Sequence, residues 1–162
     1  MKKNVIKKLV LGLICASAVV FASIAYSHCQ IPCGIYDDET RFTMIAENIT
    51  TIEKSMKLIT ELSKDDKPNM NQMVRWIQNK EKHADDTSHI ITYYFMAQRL
   101  KSADKADTKA HNEYVNKLVL LHKMLVSSMK AKQTTDLSHV EKLRALLAEF
   151  HDAYFGKTGH KH

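Results

Sequence analysis

One stretch of the chain collects donors of several kinds: His28-Cys29-Gln30-Ile31-Pro32-Cys33-Gly34-Ile35-Tyr36. It holds two thiols with three residues between them and an imidazole beside the first. If the chain begins at His28, that residue offers a free α-amine as well as its ring. Cys29 adds a thiolate and a backbone amide nitrogen, and Cys33 a second thiolate. Amine, amide and two thiolates can close around one ion as a square plane, with the imidazole reaching an axial position from the same residue. Square-planar N/S ligation favours Ni(II) or Cu(II), whereas a tetrahedral S₂N₂ set favours zinc. Pro32 and Gly34 let the chain double back so that Cys33 reaches the same ion. In an oxidising compartment the same two cysteines can instead close a small disulfide loop, and their spacing alone leaves both chemistries open.

Placement adds information. Residues 1–8, MKKNVIKK, are positively charged, and Leu9 to Ala25 is a run of 17 residues without charge. Ala25-Tyr26-Ser27 then presents small residues at the two positions a signal peptidase reads, so cleavage is expected between Ser27 and His28. An uncleaved anchor is the competing reading, but the run is slightly short of the ~20 apolar residues a span needs. Lipidation at Cys15 is disfavoured by the preceding Gly12-Leu13-Ile14. The expected organisation is a signal peptide at 1–27, a metal-binding segment at 28–36, a folded body at 37–156 and a flexible tail at 157–162. Localisation after cleavage is expected to be exported, periplasmic or extracellular, with no stable membrane association.

The body must position that segment. The formal charge of +6 falls to +2 without residues 1–27, which carry four lysines and no acid. So small an excess gives no support to a nucleic-acid groove. Between Gly34 and Gly156 there is no glycine and a single proline, Pro68. This excludes Gly-rich phosphate loops and most sheet-containing folds, which need glycine at turns. Apolar residues fall at helical spacing in four segments. The first, capped by Asp37 or Asp38, shows Phe42, Ile45, Ile49, Ile52, Met56 and Ile59. The second, capped by Asn69, shows Met70, Met73, Val74, Ile77, Ala84, Ile91, Tyr94 and Phe95. Lys80, Glu81, Thr87 and Ser88 interrupt its stripe, so it is one rod or two pieces broken near Ala84-Asp85-Asp86. The third shows Tyr114, Leu118, Leu121, Leu125 and Met129, and the fourth Leu137, Val140, Leu143, Leu147, Phe150 and Tyr154, stopping at Gly156. The predicted fold is all-α: an up-down four-helix bundle behind an N-terminal metal-binding segment and a signal peptide.

The segment from His28 to Tyr36 resembles the nickel hook of nickel superoxide dismutases, whose pattern is H-C-x-x-P-C-G-x-Y at a processed N-terminus. The resemblance runs to about Phe155, since that family's body is a four-helix bundle of this length and Thr51 to Met56 and Tyr93-Tyr94-Phe95 fit its first two helices. It implies an enzyme (EC 1.15.1.1) that disproportionates superoxide to dioxygen and hydrogen peroxide with one nickel ion per subunit, cycling between Ni(II) and Ni(III). By the same resemblance, the equatorial ligands would be the His28 amine, the Cys29 amide and the thiolates of Cys29 and Cys33, with the His28 imidazole axial. Tyr36 would stand at the mouth of the site, and the N–H groups of Gln30 and Cys33 would face the approaching anion. Family members assemble as homohexamers. An exported bundle that binds metal without dismutase activity is the alternative function, and a disulfide-closed helical interaction module a third.

Some positions depart from the family. Gln30 stands where Asp is common. The family's imidazole is held by a Glu, where this chain has Met44, with Glu47 one turn on as a substitute. A supporting Arg aligns near Asn79, with Arg75 one turn earlier. Elsewhere, Asp86-x-x-His89 and Asp136-x-x-His139 are carboxylate-histidine pairs of the kind that hold di-iron in bundles. His89 falls off the core stripe, however, and Asp136 reads as a helix cap. Gly159-His160-Lys161-His162 reads as a frayed end.

Overall fold

The computed structural model describes residues 37–156; the leader (1–27), the hook (28–36) and the tail (157–162) lie outside the described residues. Within 37–156 the chain forms α1 (Asp38–Leu62), α2 (Met70–His89), a π-helical segment (Ile90–Arg99), α3 (Thr108–Gln133) and α4 (Ser138–Phe155). Sequential helices pack as antiparallel neighbours, and α1 also packs on α4, which closes a four-helix bundle.

Local chemistry sets the boundaries. Asp37, not Asp38, caps α1, its carboxylate accepting from the Glu39 N–H at 3.0 Å. Asn69 accepts from Gln72 N–H at 3.2 Å and Asp107 from Ala110 N–H at 3.0 Å, opening α2 and α3. Asp136 accepts from the Ser138 N–H at 2.9 Å at the start of α4. Gly156, at φ 84° and ψ 157°, takes an extended positive-φ conformation open to glycine, and there α4 ends.

The α1 stripe is buried from Phe42 through Met56, and Val140, Leu143, Leu147 and Phe150 of α4 are buried opposite it. One open alternative is decided and two expectations are corrected. First, of the single rod and the two pieces broken near Ala84, α2 follows the single rod. It runs without interruption into the π-helical segment, whose wider winding is closed by the Leu100 N–H donating to Phe95 O at 2.9 Å. That winding keeps Ile90, Ile91, Tyr94 and Phe95 together on the buried face.

Second, the early part of the α2 stripe is outside the core. Met70 is 62% exposed, and Val74 and Ile77 are also exposed, whereas Lys80 is 4% exposed. Lys80 Nζ donates to Ala131 O at 3.0 Å and to the carbonyl of Lys132, at the C-terminus of α3. Since α3 ends beside Lys80, residues 70–79 lie beyond its last turn, where Asn79 donates to Ser55 Oγ of α1 at 3.0 Å.

Third, α3 is rotated relative to its most apolar stripe. Leu125 is only partly buried and Met129 is exposed, while Met124, Ser127, Ser128 and Ala131 are buried. Small residues let α3 approach α2 closely. Ser128 Oγ donates to Ala84 O at 2.8 Å and lies 3.4 Å from Ser88 Oγ.

Candidate functional site

Asp37 follows Tyr36 in the sequence, so the start of α1 is the described part of the chain nearest in sequence to the hook. The end of the bundle where α1 begins is built around Asp38, the first helical residue. Its carboxylate accepts from the Tyr94 hydroxyl on the π-helical segment, from Arg99 Nη2 at 2.5 Å on the same segment, and from the Tyr154 hydroxyl at 2.9 Å in the last turn of α4. Arg99 Nε also reaches the Tyr154 oxygen at 3.4 Å. Three elements, separated by up to 116 residues in sequence, therefore converge on one carboxylate.

Aromatic packing supports the cluster from below. The rings of Phe42, Phe95 and Phe150 stack and tilt against one another with centroids 4.9–5.4 Å apart. The Arg41 guanidinium lies 5.0 Å from the centre of the Tyr94 ring. One turn of α4 before Phe155, His151 Nε2 is 3.0 Å from Glu39 Oε2, a second tie between α4 and the first turn of α1.

The electrostatics of the cluster follow from its geometry. Burial pushes the Asp38 carboxyl up, but hydrogen bonds from Arg99, Tyr94 and Tyr154 and the charge of Arg99 outweigh it, so its pKa lies below the ordinary carboxylate value. Burial, reinforced by the bond to Asp38, pushes the Tyr94 hydroxyl up to about 12. Burial likewise raises Tyr154. The hydrogen bond to Asp38 raises Arg99, which stays a cation throughout. The unit is one carboxylate, one guanidinium and two neutral phenols, a rigid satisfied anchor.

Sequence reading did not find this anchor. Asp38 was accounted for as an alternative cap, and Tyr94 and Tyr154 as core positions. The available signal was that two tyrosines on buried stripes each need a partner for the hydroxyl.

The residues expected to hold the nickel, His28, Cys29 and Cys33, and Tyr36 at its mouth, lie outside the described residues. Their chemistry fits the metal: two soft thiolates with amine and amide nitrogens are a square-planar set suited to Ni(II). The supporting candidates are placed. Met44 is exposed and its sulfur receives Arg41 Nη1 at 3.3 Å, while Glu47 is exposed on the same helix. Asn79 donates to Ser55 Oγ at 3.0 Å, and Arg75 lines a shallow cavity beside it. Ser55 is about 25 Å along the α1 axis from Asp38 at 1.5 Å per residue, so Arg75 and Asn79 occupy the opposite half of the bundle.

The carboxylate-histidine pairs do not converge. Asp86 pairs with Lys82, and His89 stacks on Tyr93 with ring centres 4.4 Å apart. Asp136 is engaged at the start of α4, 3.9 Å from His139. Among the described residues no three His, Cys, Asp or Glu side chains come together as a metal site.

A family model described as nickel-containing superoxide dismutase matches residues 23–158, which takes in the hook and all four helices. No curated protein sequence and no solved structure matches the chain.

Proposed function

Because the chain belongs to the nickel-containing superoxide dismutase family, and is thus a nickel-dependent enzyme that disproportionates superoxide, we propose that its centre is the hook from His28 to Tyr36. The nickel ion, when bound, supplies the electron exchange by cycling between Ni(II) and Ni(III). Two superoxide anions and two protons give one dioxygen and one hydrogen peroxide.

The chain's own residues do the rest. The α-amine of His28, the amide nitrogen of Cys29 and the thiolates of Cys29 and Cys33 would hold the ion. Such strong donors would favour its oxidised state and bring an otherwise inaccessible couple into range. The His28 imidazole would be a further donor from the same residue. Tyr36 narrows the approach and orders water, and the Gln30 and Cys33 N–H groups face the anion. Asp38, two residues after Tyr36, fixes where the chain enters the bundle through Arg99, Tyr94 and Tyr154. Lys101 and Lys117 line one cavity at this end together with Glu113 and with Arg99, whose charge is matched by Asp38, leaving one cation in excess toward an anionic substrate.

The observation that carries the assignment is the run of His, two Cys, Pro, Gly and Tyr directly behind Ala25-Tyr26-Ser27. Signal peptidase would release the mature chain at His28, and export places the enzyme outside the cytoplasm. Homo-oligomerisation to a hexamer follows from the family. Mass spectrometry of the mature protein, with its nickel content, tests the assignment. The expected result is an N-terminal His28 with one nickel per subunit. Any other first residue removes the amine donor and overturns it.

A further inference from the structure

At the end of the bundle remote from Asp38, the last half of α3 and the first turn of α4 enclose a half-open cavity of about 470 Å³. Lys123, Lys130, Lys142, His122 and His139 line it, and no carboxylate does. The three lysines form no ion pair among the described residues, in contrast to Lys132 next door, which is matched by Asp85 at 2.8 Å. The carboxylate nearest to His139 is that of Asp136, 3.9 Å from Nε2 and outside the lining. The asymmetry runs the length of the helix: α3 carries five lysines and one acid, Glu113, whereas α1 carries five acids and three cations.

The cavity also presents a hydroxyl. Ser127 lines it, and its side chain makes no hydrogen bond among the described residues and opens onto the cavity rather than being sealed in the core. Its neighbour Ser128 behaves differently, donating to Ala84 O at 2.8 Å. A hydroxyl with no protein partner, facing a pocket walled by cations, is an arrangement that an oxyanion completes.

The geometry points to this cavity as a binding site for a ligand bearing two or more phosphoryl groups, distinct from the nickel centre. A single phosphoryl group carries about −1.5 to −2 at neutral pH, less than three lysines, so one group leaves the lining under-neutralised. The volume is within the range of small-molecule sites, roughly 300–1,000 Å³. The lysine heads meet the phosphoryl oxygens as point charges, and the Ser127 hydroxyl donates to one of them.

Isothermal titration of the nickel-loaded mature protein with sodium pyrophosphate tests the site. A parallel arm uses vesicles containing cardiolipin, whose headgroup bears two phosphoryl groups, against phosphatidylcholine, to tell a free ligand from a lipid headgroup. Three variants are compared: Lys130→Glu with Lys142→Glu, Ser127→Ala, and a charge-matched control, Lys101→Glu with Lys105→Glu. Charge-assisted hydrogen bonds are each worth about tenfold in affinity, so the groove double variant is expected to bind at least that much more weakly. Ser127→Ala should lose several-fold, and the control should bind as the parent does. Helicity and dismutase activity should be unchanged in the groove variants, which excludes chelation of the nickel as the source of heat. Response to cardiolipin alone, lost in the same variants, supports the site and assigns the two phosphoryl groups to a lipid. No binding in either arm, equal loss in the control, or undiminished binding in either groove variant overturns the proposal.

Discussion

The two ends of the bundle handle charge in opposite ways. Where α1 begins, one carboxylate receives a guanidinium and two phenols, over a floor of packed phenylalanines. At the other end a buried lysine crowns the carbonyls that finish α3, and three more lysines face a cavity without a counter-charge. The first arrangement is closed, since its carboxylate, guanidinium and phenols are partnered with one another, and it fixes the first turn of α1 against the π-helical segment and α4. The second is open, and an open cationic surface is complete only with something from outside. Rigidity and receptivity are thus separated by the length of the helices.

The largest expected effect tests whether function belongs to one end alone. Cys29→Ser or Cys33→Ser should cost more activity than the roughly 10–100-fold typical of outer-shell changes, because serine is a harder and weaker donor to nickel. Thermal melting followed by circular dichroism should not move, since the bundle has its own core. Pulse radiolysis of superoxide decay gives the rate. A fall in melting temperature matching the loss of activity would show that hook and bundle are not separable.

Asp38→Asn strikes the closed cluster itself. Hydrogen bonds to charged groups contribute about 1.5–3 kcal/mol, and a loss of roughly that size is expected by calorimetry. The pH dependence sharpens the point. The Asp38 pKa is lower folded than unfolded, so its contribution is present above the ordinary carboxylate value of 3.8 and is lost as pH falls through the folded value. Tyr94 acts at the other limit. Its pKa rises from 10.0 to about 12 on folding, so the unfolded chain loses its proton first and stability falls as pH climbs between those values. The Asn variant should show a weaker decline on the acid side.

Lys80→Met probes the far end with volume kept. Losing the donor to the α3 carbonyls should cost about 1–3 kcal/mol in urea unfolding, with no change in dismutase rate. An equal effect on the rate would erase the distinction between the ends. The smallest effect is expected for Asp85→Asn, which removes an exposed partner of Lys132 and should change stability by less than about 1 kcal/mol, vanishing in high salt.

How much was legible depended on how far apart the cooperating residues lie. The caps Asp37 and Asn69 are local, each acting two or three residues away, and both stand where sequence chemistry put them. The α1 stripe, Phe42 to Ile59, is about five turns of uninterrupted spacing at 3.6 residues per turn and is readable for the same reason. The early α2 stripe was read as core because periodicity reports which face is apolar and not whether a neighbour covers it. Lys80 looked like an interruption, and only the end of α3 arriving beside it explains its burial. In α3 the apolar count favoured Leu125 and Met129, but Ser128 and Ala131 permit the closest approach to α2, and proximity decided the rotation.

The sequence by itself therefore determined the number and limits of the helices, since helix periodicity is a property of single segments, and the proposed donors His28, Cys29 and Cys33 rest on a contiguous string outside the described residues. Tertiary structure alone decided the anchor at Asp38, the burial of Lys80, the turn of α3 and the unmatched cations between α3 and α4. Each of these depends on side chains 50 or more residues apart, or on two helices meeting at a particular rotation and overlap. Such meetings are set by packing of the whole bundle, and no single segment carries a signal for them.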